Sequence, residues 1–382
     1  MTISINNPIQ ATWIFGIIFF IALLASIRRK PAGDFFSLSL TQELKGFAIL
    51  AVVFSHIGYF LASDTRFLFP LSIMAGVGVN LFLLLSGLGL TASSLKNKLS
   101  VWQFYKKRLI KLFPPLWLIL ITFLTLDFFV LKLTYSWQVI AEAFVGIFRH
   151  ANLYTDFNAP LWYFTLILFY YLIFPLVFSK RQPWLSALVI YFVSYFILKQ
   201  NPIWFVNVSG MYQVHLMAFP LGIFFGWLFS SQFSVWRFVP QKICTQIGSL
   251  QCQVSHFSNK VNNATKKIQP AFYYSIIVFL MLFIAYFAYH SGVGQSLAIE
   301  QRISIITTLA VICLFVIKKI EFRLFYWFGL YSYEIYLIHW PLLYRYDLIF
   351  KYLPAWLAMI IYLILFLILG AGLKKLSKLI IK

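Results

Sequence analysis

The stretch "ELKGFAILAVVFSHIG", residues 43–58, decides how this chain reads. It sets Lys45 at the foot of an apolar helix and His56 three turns higher, among Val, Phe and Ile. At 1.5 Å per residue the rise from Lys45 to His56 is about 16 Å, roughly half of the ~30 Å hydrocarbon core of a bilayer. An ionisable side chain at that depth costs about 2.5–3.5 kcal/mol on insertion scales, which makes it a functional candidate by default. Imidazole is also the side chain best suited to taking a proton from a hydroxyl near neutral pH. The alternative is a neutral ring bonded to a neighbouring carbonyl.

The rest of the chain supplies the membrane. Of 382 residues, 62% are hydrophobic and 11% charged, where a soluble domain carries about a quarter charged residues. Runs long enough to cross a bilayer as helices recur at roughly 11–27, 46–63, 68–93, 114–133, 161–179, 184–199, 213–230, 271–289, 303–317, 324–345 and 355–373. The expected fold is all-α, a polytopic transmembrane helical bundle of about eleven spans. The net charge of +21 is explained by where it sits. With the N-terminus outside and the C-terminus cytoplasmic, 24 of the 31 Lys and Arg fall in inner segments, as the positive-inside rule requires. No nucleic-acid partner is needed to account for it.

The first run follows a neutral decapeptide and ends in Arg28-Arg29-Lys30, the reverse of a signal peptide's charge order, so it reads as a retained span. Residues 1–40 are expected to form this extra helix and a basic cytoplasmic loop, and 41–382 the main membrane domain. Cys244, Cys252 and Cys313 lack paired spacing, so neither a disulfide framework nor a metal site is expected. The polar loop at about 231–270 has room for an amphipathic segment, and "SWQVIAEAFVGIF" within 134–160 reads as an interfacial helix.

Three more segments carry candidate chemistry. In "VWQFYKKRLIKLFPPLW", residues 101–117, Lys107, Arg108 and Lys111 share one side of a helix. Such a cluster suits the phosphates of a cytosolic ligand, with plain anchoring as the alternative. Pro114-Pro115 is expected to stop this piece and start the next span. In "GVGVNLFLLLSGLGL", residues 76–90, glycines and Ser86 permit close helix packing and Asn80 offers a hydrogen bond. In "FGLYSYEIYLIHWPLL", residues 328–343, Ser332, Tyr336 and His339 recur at spacings of four and three and can share a face, with Glu334 turned away. Asp127 and His215 are further polar groups in or at the ends of spans, each either cavity-facing or structurally satisfied.

In this order the segments resemble acyltransferase family 3, integral-membrane enzymes that modify cell-surface glycans. Lys45, ten residues and His56 stand where that family has a basic residue, ten residues and a histidine. Gly78-Val79-Asn80-Leu81-Phe82-Leu83-Leu84-Leu85-Ser86-Gly87 looks like its G-V-D/N-x-F-F-x-x-S-G segment. Arg108-Leu109-Ile110-Lys111 with Pro114 resembles its R-x-x-R before a proline, and Leu161-Trp162-Tyr163-Phe164 its L-W-F-L. The segment from Ser332 to Pro341 matches S-Y-x-x-Y-L-x-H-x-P. Lysine replaces the usual arginine at 45 and 111, which gives up the planar fork of bidentate recognition. The helix at 11–27 precedes the family's usual ten-helix core.

The resemblance implies an O-acyltransferase that moves an acyl group, usually acetyl, from cytosolic acyl-CoA to a hydroxyl of an extracytoplasmic polysaccharide or glycan. Acetyl-CoA or another acyl-CoA would be the co-substrate, with no metal, and a bacterial-type plasma (inner) membrane the location. It further implies His56 and Lys45 as the catalytic residues, His56 as general base and Lys45 placing the donor or biasing the imidazole toward neutrality, with donor binding by Arg108, Lys111 and Lys107. Asn80, Ser86, Trp162, Ser332, Tyr336 and His339 would then support the substrates or the structure. The competing class is a polytopic transporter or flippase of a glycan-related substrate, which also puts His and Lys within the membrane; the paired, interrupted helices of internal repeats are not visible.

Overall fold

Three helices begin where a serine side chain caps an apolar run, at Ser37, Ser100 and Ser136. Ser37 accepts a hydrogen bond from Leu40 N–H and opens the helix Leu38–Ser55, and Ser100 forms a reciprocal capping box with Gln103 at the start of the helix Val101–Phe129, satisfying N–H groups that a helix leaves unpaired. The computed structural model describes residues 2–30, 36–97, 100–153, 155–203, 205, 207–229, 270–290 and 296–381. Cys244, Cys252 and the amphipathic segment expected at about 231–270 lie outside the described residues.

In chain order the helices are α1 (Pro8–Ala25), α2 (Leu38–Ser55), α3 (Ala75–Lys96), α4 (Val101–Phe129), α5 (Trp137–Phe144), α6 (Trp162–Val177), α7 (Pro183–Lys199), α8 (Ser209–Val214), α9 (Ala218–Leu228), α10 (Pro270–Tyr289), α11 (Leu297–Ile317), α12 (Arg323–Leu330), α13 (Ser332–Tyr344) and α14 (Ala355–Ile381). Among the described residues nine helical segments are long and apolar enough to cross a membrane, where the sequence suggests about eleven. The run at 184–199 forms a 17-residue helix with Gln182 and Gln200 at its ends, shorter than those nine. The run at 324–345 divides at Tyr331 into α12 and α13, neither of spanning length. The run at 213–230 starts earlier, at Ser209, and is interrupted at His215–Met217 between α8 and α9. Hydropathy measures how apolar a run is, and such breaks leave it unchanged.

Pro114 and Pro115 do not end a helix: α4 runs unbroken through both. Prolines are tolerated in a bundle because packed neighbouring helices and local adjustments accommodate the lost N–H groups, and here α6, α13 and α14 pack along α4. The basic face at 106–111 is therefore rigidly continuous with the span above it.

The most enclosed spans are α2 and α3. α2 lies against α12 where Gly46 faces Phe325 and Gly329 faces Gln42, so tightly that a Cβ on either glycine would run into the other helix's carbonyl. Small residues at such crossings let backbones meet. A two-stranded antiparallel ribbon, β1 (Ile27–Arg29) with β2 (Ile320–Phe322), was not expected from the sequence. It is fastened by Arg28 to Glu321 at 2.8 Å and by Glu43, which takes the Lys318 ammonium and the Phe322 N–H. Together with contacts of α1 on α14, the ribbon packs residues before Lys30 against the main bundle.

At the opposite end Asp127, fully buried, accepts from the Tyr135 hydroxyl at 2.5 Å, the Tyr346 hydroxyl at 2.6 Å and the Arg345 guanidinium. Burial, reinforced by Asp127, pushes the Tyr135 phenol up to about 12. Asp127 is a structural clamp. The expected helix in "SWQVIAEAFVGIF" is present as α5, with Trp137 79% exposed.

Candidate active site

Two cavities enter the bundle from its two ends. The first, about 360 Å³, opens among the N-terminal ends of α2 and α4 and the C-terminal part of α14. Its wall carries Lys45, Arg108, Lys111 and Lys374, with Glu334 as the carboxylate among them. Glu43, two residues before Lys45, is committed to Lys318. Lys45 is left without an ion pair among the described residues. Arg108 is steadied over the rings of Phe104 and Tyr171, 5.6 and 5.7 Å from its guanidinium carbon, and Tyr171 shares a 2.7 Å hydrogen bond with Ser86. Lys374 donates to the Leu330 carbonyl at 2.6 Å. Ser332 and Tyr336 also line this space. Lys107 is exposed and outside the lining, so the expected trio of α4 contributes two members and α14 the next cation.

The second cavity, about 480 Å³, opens at the other end and holds His56, Trp162 and His215. His56 begins a π-helical turn, His56–Leu61, that continues α2. Such turns interrupt the helical ladder and often mark functional positions. Its Nδ1 lies 2.8 Å from Nε2 of His339, in rings within 4° of coplanar. Trp340 and Phe60 meet the His56 ring edge to face at 5.1 and 5.6 Å and fix its plane.

His339 is completely buried. Its Nδ1 sits 2.8 Å from the Tyr336 carbonyl and 3.1 Å from that of Ile335. Carbonyls only accept, so Nδ1 carries the proton and Nε2 of the neutral ring is bare. The hydrogen between the rings therefore belongs to His56 Nδ1, and the lone pair of His56 is on Nε2. The pair of rings sets the tautomer a general base needs.

Asn80 holds the other histidine. Its carboxamide oxygen is 2.8 Å from His215 Nδ1 and its nitrogen donates to Ser304 Oγ at 2.8 Å. His215, at the break between α8 and α9, stacks on Trp162 with centroids 5.8 Å apart. Sequence reasoning left His215 unranked, because a helix break within an apolar run has no hydropathy signal. It missed Lys374 for a different reason: a lysine at the inner end of the last span looks like any anchoring charge.

Three side chains, Phe82, Tyr163 and Tyr336, belong to both cavities. Lys45 and His56 thus lie on one helix, on opposite sides of a shared aromatic wall. A family model described as an acyltransferase domain matches residues 44–374, from the residue before Lys45 to Lys374. The chain belongs to acyltransferase family 3. In this multi-pass membrane acyltransferase of that family, every residue lining the two cavities except Gln42 lies within the matched region. No curated protein and no solved structure matches it. Among the described residues of this acyltransferase, no group of three or more His, Cys, Asp or Glu is placed to hold a metal ion.

Proposed function

We propose that this acyltransferase takes an acetyl group from cytosolic acetyl-CoA and delivers it to a hydroxyl of an extracytoplasmic glycan, across a plasma (inner) membrane of bacterial type. The observation that carries this reading is the pair of cavities, one cationic and one histidine-lined, meeting between Lys45 and His56. Four cations against one carboxylate suit a ligand with several phosphates, and Arg108 can grip one of them bidentately. The positive-inside rule puts that end in the cytosol, where coenzyme A is found. The second cavity then faces outward, and its wall includes Ser55 and Ser72, whose hydroxyls have no hydrogen-bond partner among the described residues and suit a polar acceptor.

In the reaction, His56 Nε2 takes the proton of the acceptor hydroxyl as its oxygen attacks the thioester carbonyl. The resulting imidazolium is stabilised through Nδ1–H by His339, whose own proton stays on its Nδ1, donated to the backbone carbonyls. Collapse of the tetrahedral adduct breaks the C–S bond, and the thiolate takes the proton back from His56 as free coenzyme A. Lys45 completes the phosphate-binding end of the donor site.

The test uses the purified full chain, with thiol release from acetyl-CoA measured with and without glycan, and O-acetyl content of surface glycans measured by mass spectrometry. Glycan-dependent thiol release that disappears in His56→Ala supports the reading. Glycan movement without thiol release would instead make the protein a transporter.

A further inference from the structure

The wall between the cavities is built from one side chain of each of three helices: Phe82 of α3, Tyr163 of α6 and Tyr336 of α13. Tyr163 is its centre, 6.2 Å from the Phe82 ring and 5.5 Å from that of Tyr336, which it meets edge to face. Tyr336 is fixed, because its hydroxyl donates to the Pro160 carbonyl at 2.8 Å and its ring lies 6.3 Å from that of His339. Phe82 has no polar anchor, and both it and Tyr163 border open space above and below. A donor whose phosphates rest on Arg108, Lys111 and Lys374 brings its carbonyl carbon to His56 by passing between these rings.

We propose that Phe82 and Tyr163, closing against the fixed Tyr336, are the acyl-size filter of the enzyme: they admit an acetyl thioester to His56 and hold back longer acyl chains. This rests on the reading of the donor as acyl-CoA. The physical basis is close packing, in which a ring displaced to make room for each added methylene loses its contacts with the other two. Discrimination of one methylene by a tight apolar site runs to roughly 10–200-fold.

The experiment compares thiol release from acetyl-, butyryl- and octanoyl-CoA by the full chain in inside-out membrane vesicles, with His56→Ala vesicles as background and coenzyme A binding measured alongside. The wild type is expected to favour acetyl. Phe82→Ala and Tyr163→Leu are expected to raise the butyryl-to-acetyl ratio of kcat/KM at least about 10-fold, within the range one methylene carries. Phe82→Trp is expected to slow acetyl transfer by a similar factor while coenzyme A still binds. Phe82→Leu replaces the larger truncation if that variant does not fold. A wild type that transfers acetyl, with the ratio unmoved in variants that still bind coenzyme A, overturns the filter and leaves the donor reading intact. A wild type that releases no thiol from any acyl-CoA overturns both.

Discussion

His56 Nδ1 is 2.8 Å from His339 Nε2, and His339 is itself held at Nδ1 by two backbone carbonyls. The order of protons along this chain is fixed at its far end, so His339 acts on the reaction only through His56. His56→Ala is expected to abolish transfer with coenzyme A still bound. Removing an orienting partner of this kind typically costs about 10–100-fold, so His339→Ala should lower kcat by that amount with KM for acyl-CoA little changed. His339→Gln, whose carbonyl can accept from His56 Nδ1, should recover part of the loss. Wild-type kcat in His339→Ala would show that the tautomer does not depend on this contact.

The cationic cavity separates binding from anchoring. Hydrogen bonds to charged groups contribute about 1.5–3 kcal/mol, so Arg108→Ala and Lys374→Ala should each weaken coenzyme A binding roughly 10-fold or more. Lys107→Ala should leave it within about 2-fold, since Lys107 stands outside the lining. Calorimetric titration with coenzyme A reads both, and rising salt should narrow the difference. Equal losses at 107 and 108 would mean that the charges act only as a surface field.

Glu43 and Lys318 form a buried pair joining α2 to the end of α11. Removing one member leaves the other charge unpaired, at a cost of about 3–5 kcal/mol. Lys318→Ala should therefore lower the thermal midpoint in detergent sharply, and Glu43→Gln with Lys318→Met together should recover much of it. A double variant no more stable than the single one would show that the pair is not the source of the loss.

Gly46 touches the backbone of α12, whereas Gly16 on α1 has nothing within 4 Å of where a Cβ would stand. Overpacking a filled site costs about 1–3 kcal/mol. Gly46→Ala should be destabilised by that order in a thermal assay, and Gly16→Ala should not. Equal stability of the two would mean that α2 and α12 can separate without penalty.

Much of the site was legible because its parts have local signals. Lys45 and His56 are separated by half a membrane along one helix, and Arg108 and Lys111 recur at helical spacing. Asn80 and His339 were marked by polarity within apolar runs, yet their roles were not readable. Asn80 holds a histidine 135 positions away and His339 one 283 positions away, and spacing within a helix carries nothing about such pairs. The double proline predicts a stop, because local sequence shows the two lost N–H groups and omits the distant helices packed along α4.

By itself the sequence determined that this chain is a helical membrane protein, and where its ionisable groups lie along each helix. Burial of apolar runs and the cost of charge in hydrocarbon act residue by residue, so they are written locally. Only the tertiary structure decided which nitrogen of His56 is bare, that Glu43 is drawn away to Lys318, and that Phe82, Tyr163 and Tyr336 stand between the two cavities. Those are relations between helices, set by close packing and by the need of every buried polar group for a partner.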